Sequence, residues 1–304
     1  MKTLFKTNTG PVFHMELDLR DSNTILFSDY YSVRMLIDTS ITTLAGPPTS
    51  CTTSDCRGYQ EGVGTAARFN WVTGFLQLNS STVVAADHYN HCLRLIDRDS
   101  QRTSAFVGKC KVSGFDDGVS ATFYYPYSVI RDTKSPDLLL VTDYRNDAVR
   151  QVNILTRITE TLIRRAAGLN NPTGITYDPL GQYLAISNRH FIADKRNGSE
   201  ALVNVVGSSS SGFADGDASD VKFNCPRELV FLSDDLRLIA DEGNNRLRVL
   251  NTASGSVSSV CSGSYSTVDG TALTCGLYYP HSLMVQDGLI YVGQYLAIRT
   301  IPCE

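Results

Sequence analysis

The chain has 304 residues, 42% of them apolar, with 27 Lys and Arg against 31 Asp and Glu, a net charge of −4 and a pI near 5.7. That balance excludes the basic face a nucleic-acid binder needs, and no apolar run approaches the roughly 18 residues of a membrane-spanning helix. Apolar content is ample for a sizeable core.

The N-terminal stretch Met1-Lys2-Thr3-Leu4-Phe5-Lys6 has lysines but no apolar h-region, so it is not an intact signal peptide. From Pro11 onward one grammar returns six times. An apolar run ends in an acid, a polar hairpin follows, and a second alternating run carries an Arg. The first three copies are Leu26-Phe27-Ser28-Asp29 with Arg34, Val83-Val84-Ala85-Ala86-Asp87 with Arg94, and Leu140-Val141-Thr142-Asp143 with Arg150. The fourth ends in Ser187-Asn188 and has no matching Arg. The fifth is Leu238-Ile239-Ala240-Asp241 with Arg248, and the sixth carries Gln294 and Arg299.

The offset to the Arg is seven residues in three copies and five in two. Two residues make one strand period, so the shorter hairpin keeps its phase. Asp29, Asp87, Asp143, Asn188, Asp241 and Gln294 stand 58, 56, 45, 53 and 53 residues apart. A period of about 40–50 residues made of short strands belongs to propeller blades. The expectation is an all-β, six-bladed β-propeller filling residues 1–304 as a single domain.

Entry segments stand between the copies. Each has an acid-Gly turn, small residues, then an aromatic or Leu ahead of the innermost strand: Glu61-Gly62 with Phe69, Asp117-Gly118 with Phe123, Asp215-Gly216 with Phe223, and Asp269-Gly270 with Tyr278-Tyr279-Pro280. Gly supplies the φ > 0 turn, and the aromatic is expected to plug the gap between blades. After Ile301 too little chain remains for a last strand. Thr3-Leu4-Phe5-Lys6 matches the outer-strand pattern Thr43-Leu44-Ala45-Gly46 and is expected to pair into blade 6, closing the ring and removing an open edge.

With Asn90-His91-Cys92-Leu93-Arg94 in view, and Asn146-Asp147-Ala148-Val149-Arg150 and Asn245-Arg246-Leu247-Arg248 as looser copies, nearly the whole chain resembles the NHL-repeat propellers. That family includes RNA-binding domains, extracellular adhesion and receptor modules, and enzymes such as the peptidyl-hydroxyglycine amidating lyases. Fold does not choose among these.

Each acid ends one strand and its Arg lies on the hairpin partner, within reach of a charged pair. Because the pairing repeats from blade to blade, it reads as one structural clamp per blade and not as catalysis. Chain direction then sorts the loops into two faces. The hairpins after the acids form the top, where the next residues are Tyr30, His88, Tyr144, Arg189, Glu242 and Tyr295, beside Tyr89, Arg145 and His190. Tyr, Arg and His are large, amphipathic and rich in donors, so this face reads as a binding surface.

The same sorting puts His88, His190 and His281 on top of alternate blades, 2, 4 and 6. Three imidazoles around an axial zinc would make a catalytic metal site. In the amidating lyases, Pro-His-Ser/Asp at the start of an inner strand supplies zinc ligands, and Pro280-His281-Ser282 matches. Pro126-Tyr127-Ser128, Pro172-Thr173-Gly174 and Pro226-Arg227-Glu228 do not.

Eight cysteines are many for a cytosolic chain of this size. Cys51 and Cys56 share one loop, Cys92 and Cys110 flank a hairpin, and Cys261 and Cys275 bracket the loop into blade 6. Cys225 is an alternative partner, and the pairing of Cys225 and Cys303 stays open. The sequons Asn79-Ser80-Ser81 and Asn197-Gly198-Ser199 fall on turns of the bottom face. The sequence reads as a non-enzymatic recognition module of the extracellular space or secretory lumen, without cofactor. It binds a protein or glycan through the top face and can stand in an assembly with further domains or copies. The alternative is a metal-dependent propeller enzyme, amidating-lyase-like or lactonase-like, with zinc or calcium in the axial channel.

Overall fold

The structure, a computed structural model, describes residues 1–51, 54–199, 201–265, 269–271 and 275–302. Nearly all of its regular structure is β, interrupted by short 3₁₀ turns. The second blade shows why the sequence folds as it does. Its strands Val72–Asn79, Thr82–Asp87, Cys92–Asp97 and Arg102–Val107 form an antiparallel meander. In Val83-Val84-Ala85-Ala86 all four residues are buried. Val83 and Ala85 point into a core with Leu26, Phe69 and Phe75, whereas Val84 and Ala86 point into another with Phe123, Leu139 and Val141. A strand in a middle blade faces a neighbour on each side, so period-2 alternation sorts its residues between two apolar cores. Each buried Val or Leu contributes about 1.5–3 kcal/mol.

The chain forms two compact units. The unit from Asn8 to Arg165 holds blades 1 to 3. Blade 1 is His14–Leu17, Thr24–Ser28, Val33–Ile37 and Ser40–Ala45, and blade 3 is Pro126–Arg131, Leu138–Asp143, Ala148–Asn153 and Thr159–Ile163. The other unit, Ala166–Glu304 with Met1–Thr7, holds blades 4 to 6. Blade 4 is Ile175–Tyr177, Tyr183–Ser187, Phe191–Arg196 and Leu202–Gly207, and blade 5 is Pro226–Phe231, Leu236–Asp241, Arg246–Asn251 and Ser256–Val260.

In blade 6 the inner strand Ser282–Gln286 pairs with a long run, Leu289–Pro302, whose other neighbour is the N-terminal strand Lys2–Pro11. The N-terminus thus closes the last blade, as its pattern suggests. The pairing is keyed by side chains as well: Thr3 Oγ1 donates to Asp269 at 2.8 Å. Thr161 makes the same contact with Asp117 in blade 3, and Ser259 with Asp215 in blade 5, each from its own outermost strand at 3.0 Å.

The entry segments do more than turn. Gly62–Val63 and Gly216–Asp217 each add a short fifth strand outside the outermost strand of their own blade. At the inner end the strands crowd one another. A Cβ on Gly74 would stand 2.7 Å from the Tyr127 carbonyl oxygen, and one on Gly174 2.3 Å from that of Arg227, so neither position admits a larger residue without displacing backbone.

Candidate functional site

The Asp-Arg pairs are buried hubs. Arg94 contacts Asp87 at 2.9 Å, Arg150 contacts Asp143 at 2.9 Å, and Arg248 contacts Asp241 at 2.9 Å, all six side chains being fully buried; Arg34 and Asp29 make the blade 1 copy at 2.6 Å. Asp87, Asp143 and Asp241 each accept two further bonds. Asp87 takes the backbone N–H of Asn70 and the amide of Asn90, Asp143 those of Tyr124 and Asn146, and Asp241 those of Asn224 and Asn244. Asn244, one residue before the expected Asn245, is therefore the counterpart of Asn90.

Burial pushes the Asp87 and Asp143 carboxyls up to about 6 against the pull of Arg94 and Arg150, so both are ionised at neutral pH. Each Arg also lies between two rings: Arg94 between Tyr59 and Phe69, Arg150 between Phe115 and Phe123, and Arg248 between Phe213 and Phe223. The inner of these aromatics is the expected plug, and it stacks on the hub cation. The acid of the acid-Gly turn grips the same Arg from outside, Asp117 at 2.7 Å and Asp215 at 2.6 Å. These groups are consumed in holding the blades together.

What the hubs hold in place is the hairpin beyond each acid. In blades 2, 3 and 5 it is a single 3₁₀ turn, His88–Asn90, Tyr144–Asn146 and Glu242–Asn244, closed by a left-handed residue, His91, Asp147 or Asn245. Sequence reasoning missed the residues facing these turns. Trp71 and Tyr125 end their entry segments with φ of 66° and 63°, a left-handed conformation costly for a bulky side chain. Each is tied to the next hairpin: His88 N–H donates to the Trp71 carbonyl at 2.9 Å, and Tyr144 N–H to that of Tyr125 at 3.2 Å. The Tyr-Tyr-Pro run at 124–126 is the signal that could have revealed them, but it reads equally as part of the plug.

In blades 1 to 3 the result is one continuous aromatic patch. His88 stacks on Tyr125 at 4.8 Å, Tyr125 on His91 at 4.8 Å, and Trp71 lies nearly parallel to His88 at 6.2 Å. Tyr89 crosses this column edge-on, about 5 Å from Trp71, His88 and Tyr125 alike. Tyr30 packs on Trp71 at 5.1 Å, Tyr144 lies 6.0 Å from His88, and the Arg145 guanidinium sits 5.5 Å over the Tyr144 ring.

The expected residues Tyr30, His88, Tyr89, Tyr144 and Arg145 thus come together, with a correction of role for one. His88 is buried and supports the patch from within, its Nδ1 3.1 Å from the Pro126 carbonyl oxygen. A carbonyl only accepts, so that nitrogen carries the proton. His91 is the opposite tautomer, its Nδ1 accepting from the Tyr125 N–H at 3.3 Å, and burial lowers its pKa.

The matching hairpins of blades 4 and 5 carry charge, and that of blade 6 carries Tyr295. Glu242 pairs with Arg227, and His281 Nδ1 lies 3.9 Å from its other oxygen. Burial pushes Glu242 up, but the Arg227 guanidinium beside it more than offsets this and holds the carboxyl below its usual range. Burial pushes His281 down to about 4, so it is neutral. Arg189 is exposed and His190 half-buried, with the Arg189 carbonyl accepting from Cys225 N–H at 3.0 Å. Tyr295 meets Tyr278 edge-on at 5.1 Å. Among the described residues no group of three His, Cys, Asp or Glu side chains is placed to hold a metal ion.

Three disulfides form, Cys51–Cys56, Cys92–Cys110 and Cys261–Cys275, the pairs expected from their flanking positions. Cys225 is unpaired, and burial pushes its thiol up; Cys303 lies outside the described residues. Asn79 and Asn197 are exposed at the turns that end Val72–Asn79 and Phe191–Arg196. No helix among the described residues is long and apolar enough to cross a membrane.

No protein-family model and no curated protein matches the chain. Solved structures do. An auxiliary nutrient binding protein from Bacteroides thetaiotaomicron superposes with a TM-score of 0.72 at 13% identity, over 98% of this chain and 76% of that one. One from Bacteroides ovatus gives 0.70 at 14%, over 99% and 76%. The Xanthomonas campestris gluconolactonase XC5397 gives 0.63 at 12%, over 99% and 88%. The chain is a six-bladed β-propeller. At such identities the likeness is one of fold, and this fold carries binding proteins and enzymes alike.

Proposed function

We propose that this propeller, built of NHL-type blades, is a non-enzymatic recognition module of the extracellular space or secretory lumen, binding a protein or glycan ligand through the hairpin ends of blades 1 to 3. The observation that carries this is the aromatic patch around Trp71, Tyr89 and Tyr125. Two of its members, Trp71 and Tyr125, occupy the left-handed position that recurs at Asn171, Cys225 and Tyr279, so the blade entry itself fixes where their rings stand. Mutual packing fixes the rings before a ligand arrives, so little ordering entropy remains to be lost on binding. Three disulfides and two exposed sequons support an oxidising compartment. The nutrient binding proteins of like fold lend general support to a binding role.

The test probes arrays of secreted proteins and of glycans with the wild-type protein and with Tyr89→Ala, Tyr144→Ala and Asn79→Gln variants. Ligands should be lost or weakened by more than about 1 kcal/mol with the Tyr variants, as for hot spots, and kept with Asn79→Gln. Ligands indifferent to both Tyr substitutions would refute the assignment. Stoichiometric zinc or calcium in elemental analysis of the purified protein would turn the reading toward a metal-dependent enzyme.

A further inference from the structure

We infer that the ligand of the aromatic patch is a carbohydrate, held by pyranose rings laid against Tyr89 and Tyr124 with Arg145 donating at the side. This rests on the recognition reading and narrows it. Tyr89 and Tyr124 are each 37% exposed, the most open rings of the patch. They flank Tyr125, at 5.0 Å and 4.7 Å between ring centroids, so the two are spaced across one intervening residue. Arg145 is positioned by its own backbone, its N–H donating to the Tyr124 carbonyl at 2.9 Å.

The chemistry around these rings suits a sugar. The exposed rings end in a hydroxyl or a ring nitrogen, so each flat apolar face has a polar tip beside it. A sugar ring has an apolar C–H face and a rim of hydroxyls, and it matches flat apolar faces with polar tips. Asp29, Asp87 and Asp143 are locked into their Arg hubs, and Asp147, which closes the Arg145 hairpin, pairs with Arg165 at 3.4 Å. Arg145 is therefore free of a competing carboxylate there and offers a planar fork of donors to sugar hydroxyls or to a uronic-acid carboxylate.

The patch carries its own reporter, because Trp71 is the only tryptophan of the chain and touches Tyr89 at 5.0 Å. Its emission should shift saturably when the whole protein is titrated with some member of a panel of gluco-, manno-, galacto- and uronic-acid oligosaccharides. Tyr89→Ala and Tyr124→Ala should each weaken that binding at least tenfold. If Tyr89→Ala fails to fold, Tyr89→Leu keeps apolar bulk without the flat face and should show the same loss. Arg145→Gln should weaken uronic-acid probes more than neutral ones. No response to any probe at millimolar concentration would overturn the inference, and so would sugar binding that survives both Tyr substitutions. If a protein ligand from the arrays is lost on those substitutions while no sugar binds, the recognition reading stands and the carbohydrate assignment falls.

Discussion

At the scale of single residues, the molecule is organised by buried arginines. Removing one side chain of such a pair leaves the other charge buried, which costs about 3–5 kcal/mol. Blade 4 shows how a blade manages without the pair: Asn188 keeps the acceptor that receives the Asn170 N–H at 3.2 Å, but it carries no charge and needs no Arg. Arg94→Leu should therefore be strongly destabilising in urea unfolding. Arg94→Leu combined with Asp87→Asn, which copies blade 4, should recover at least about 1 kcal/mol of that loss. A double variant as unstable as the single one would show that the stacked rings and entry-loop carbonyls matter more than the charge pair.

His281 belongs to the same scale. Its folded pKa of about 4 lies below the roughly 6.5 of an unfolded histidine, so between these values the unfolded chain binds the extra proton. Its contribution is fully present above about pH 6.5 and is lost as pH falls toward 4, at about 1.4 kcal/mol per unit. From pH 7 to 5 the wild type should lose about 2 kcal/mol more than His281→Gln. Parallel pH profiles for the two proteins would contradict the burial of a neutral imidazole.

At the scale of elements, the blades were legible in the sequence because one hydrophobic grammar repeats and each copy corrects the others. The N-terminal strand was legible for the same reason, by matching the outer-strand pattern. Deleting Met1 to Thr7 removes the neighbour of Leu289–Pro302 and the Thr3 bond to Asp269. The truncated protein should melt several degrees lower or aggregate through the exposed edge, as calorimetry and size-exclusion chromatography would register. Unchanged melting and solubility would mean that the strand closes nothing. The entry segments were read less well. Phe69 and Phe123 look like simple plugs in the sequence, because stacking on an Arg some 26 residues away leaves no local mark. Asn244 was displaced by one residue because adjacent asparagines offer the same letter to either register.

At the scale of the whole molecule, the fold was far more legible than the site. The hairpin residues Tyr30, Tyr89, Tyr144 and Arg145 followed from strand direction alone. Trp71 and Tyr125 did not, because the left-handed position they share with Asn171, Cys225 and Tyr279 takes different residue types from blade to blade and leaves no residue signature. His88 belongs to the expected top face but is buried there, packed between Trp71 and Tyr125, contacts that no local pattern marks. Within blade 2 the Asn79 turn joins Val72–Asn79 to Thr82–Asp87 at the end opposite the His88–Asn90 hairpin, so a glycan on Asn79 would leave the aromatic patch open. Hydrogen exchange of the protein with and without a ligand from the arrays tests this division most directly. Protection should appear in the segments around Trp71, His88–His91, Tyr124–Tyr125 and Tyr144–Asn146, with exchange at 79–82 and 197–199 unchanged. Protection confined to the sequon turns, with the aromatic segments exchanging as in the free protein, would contradict the account.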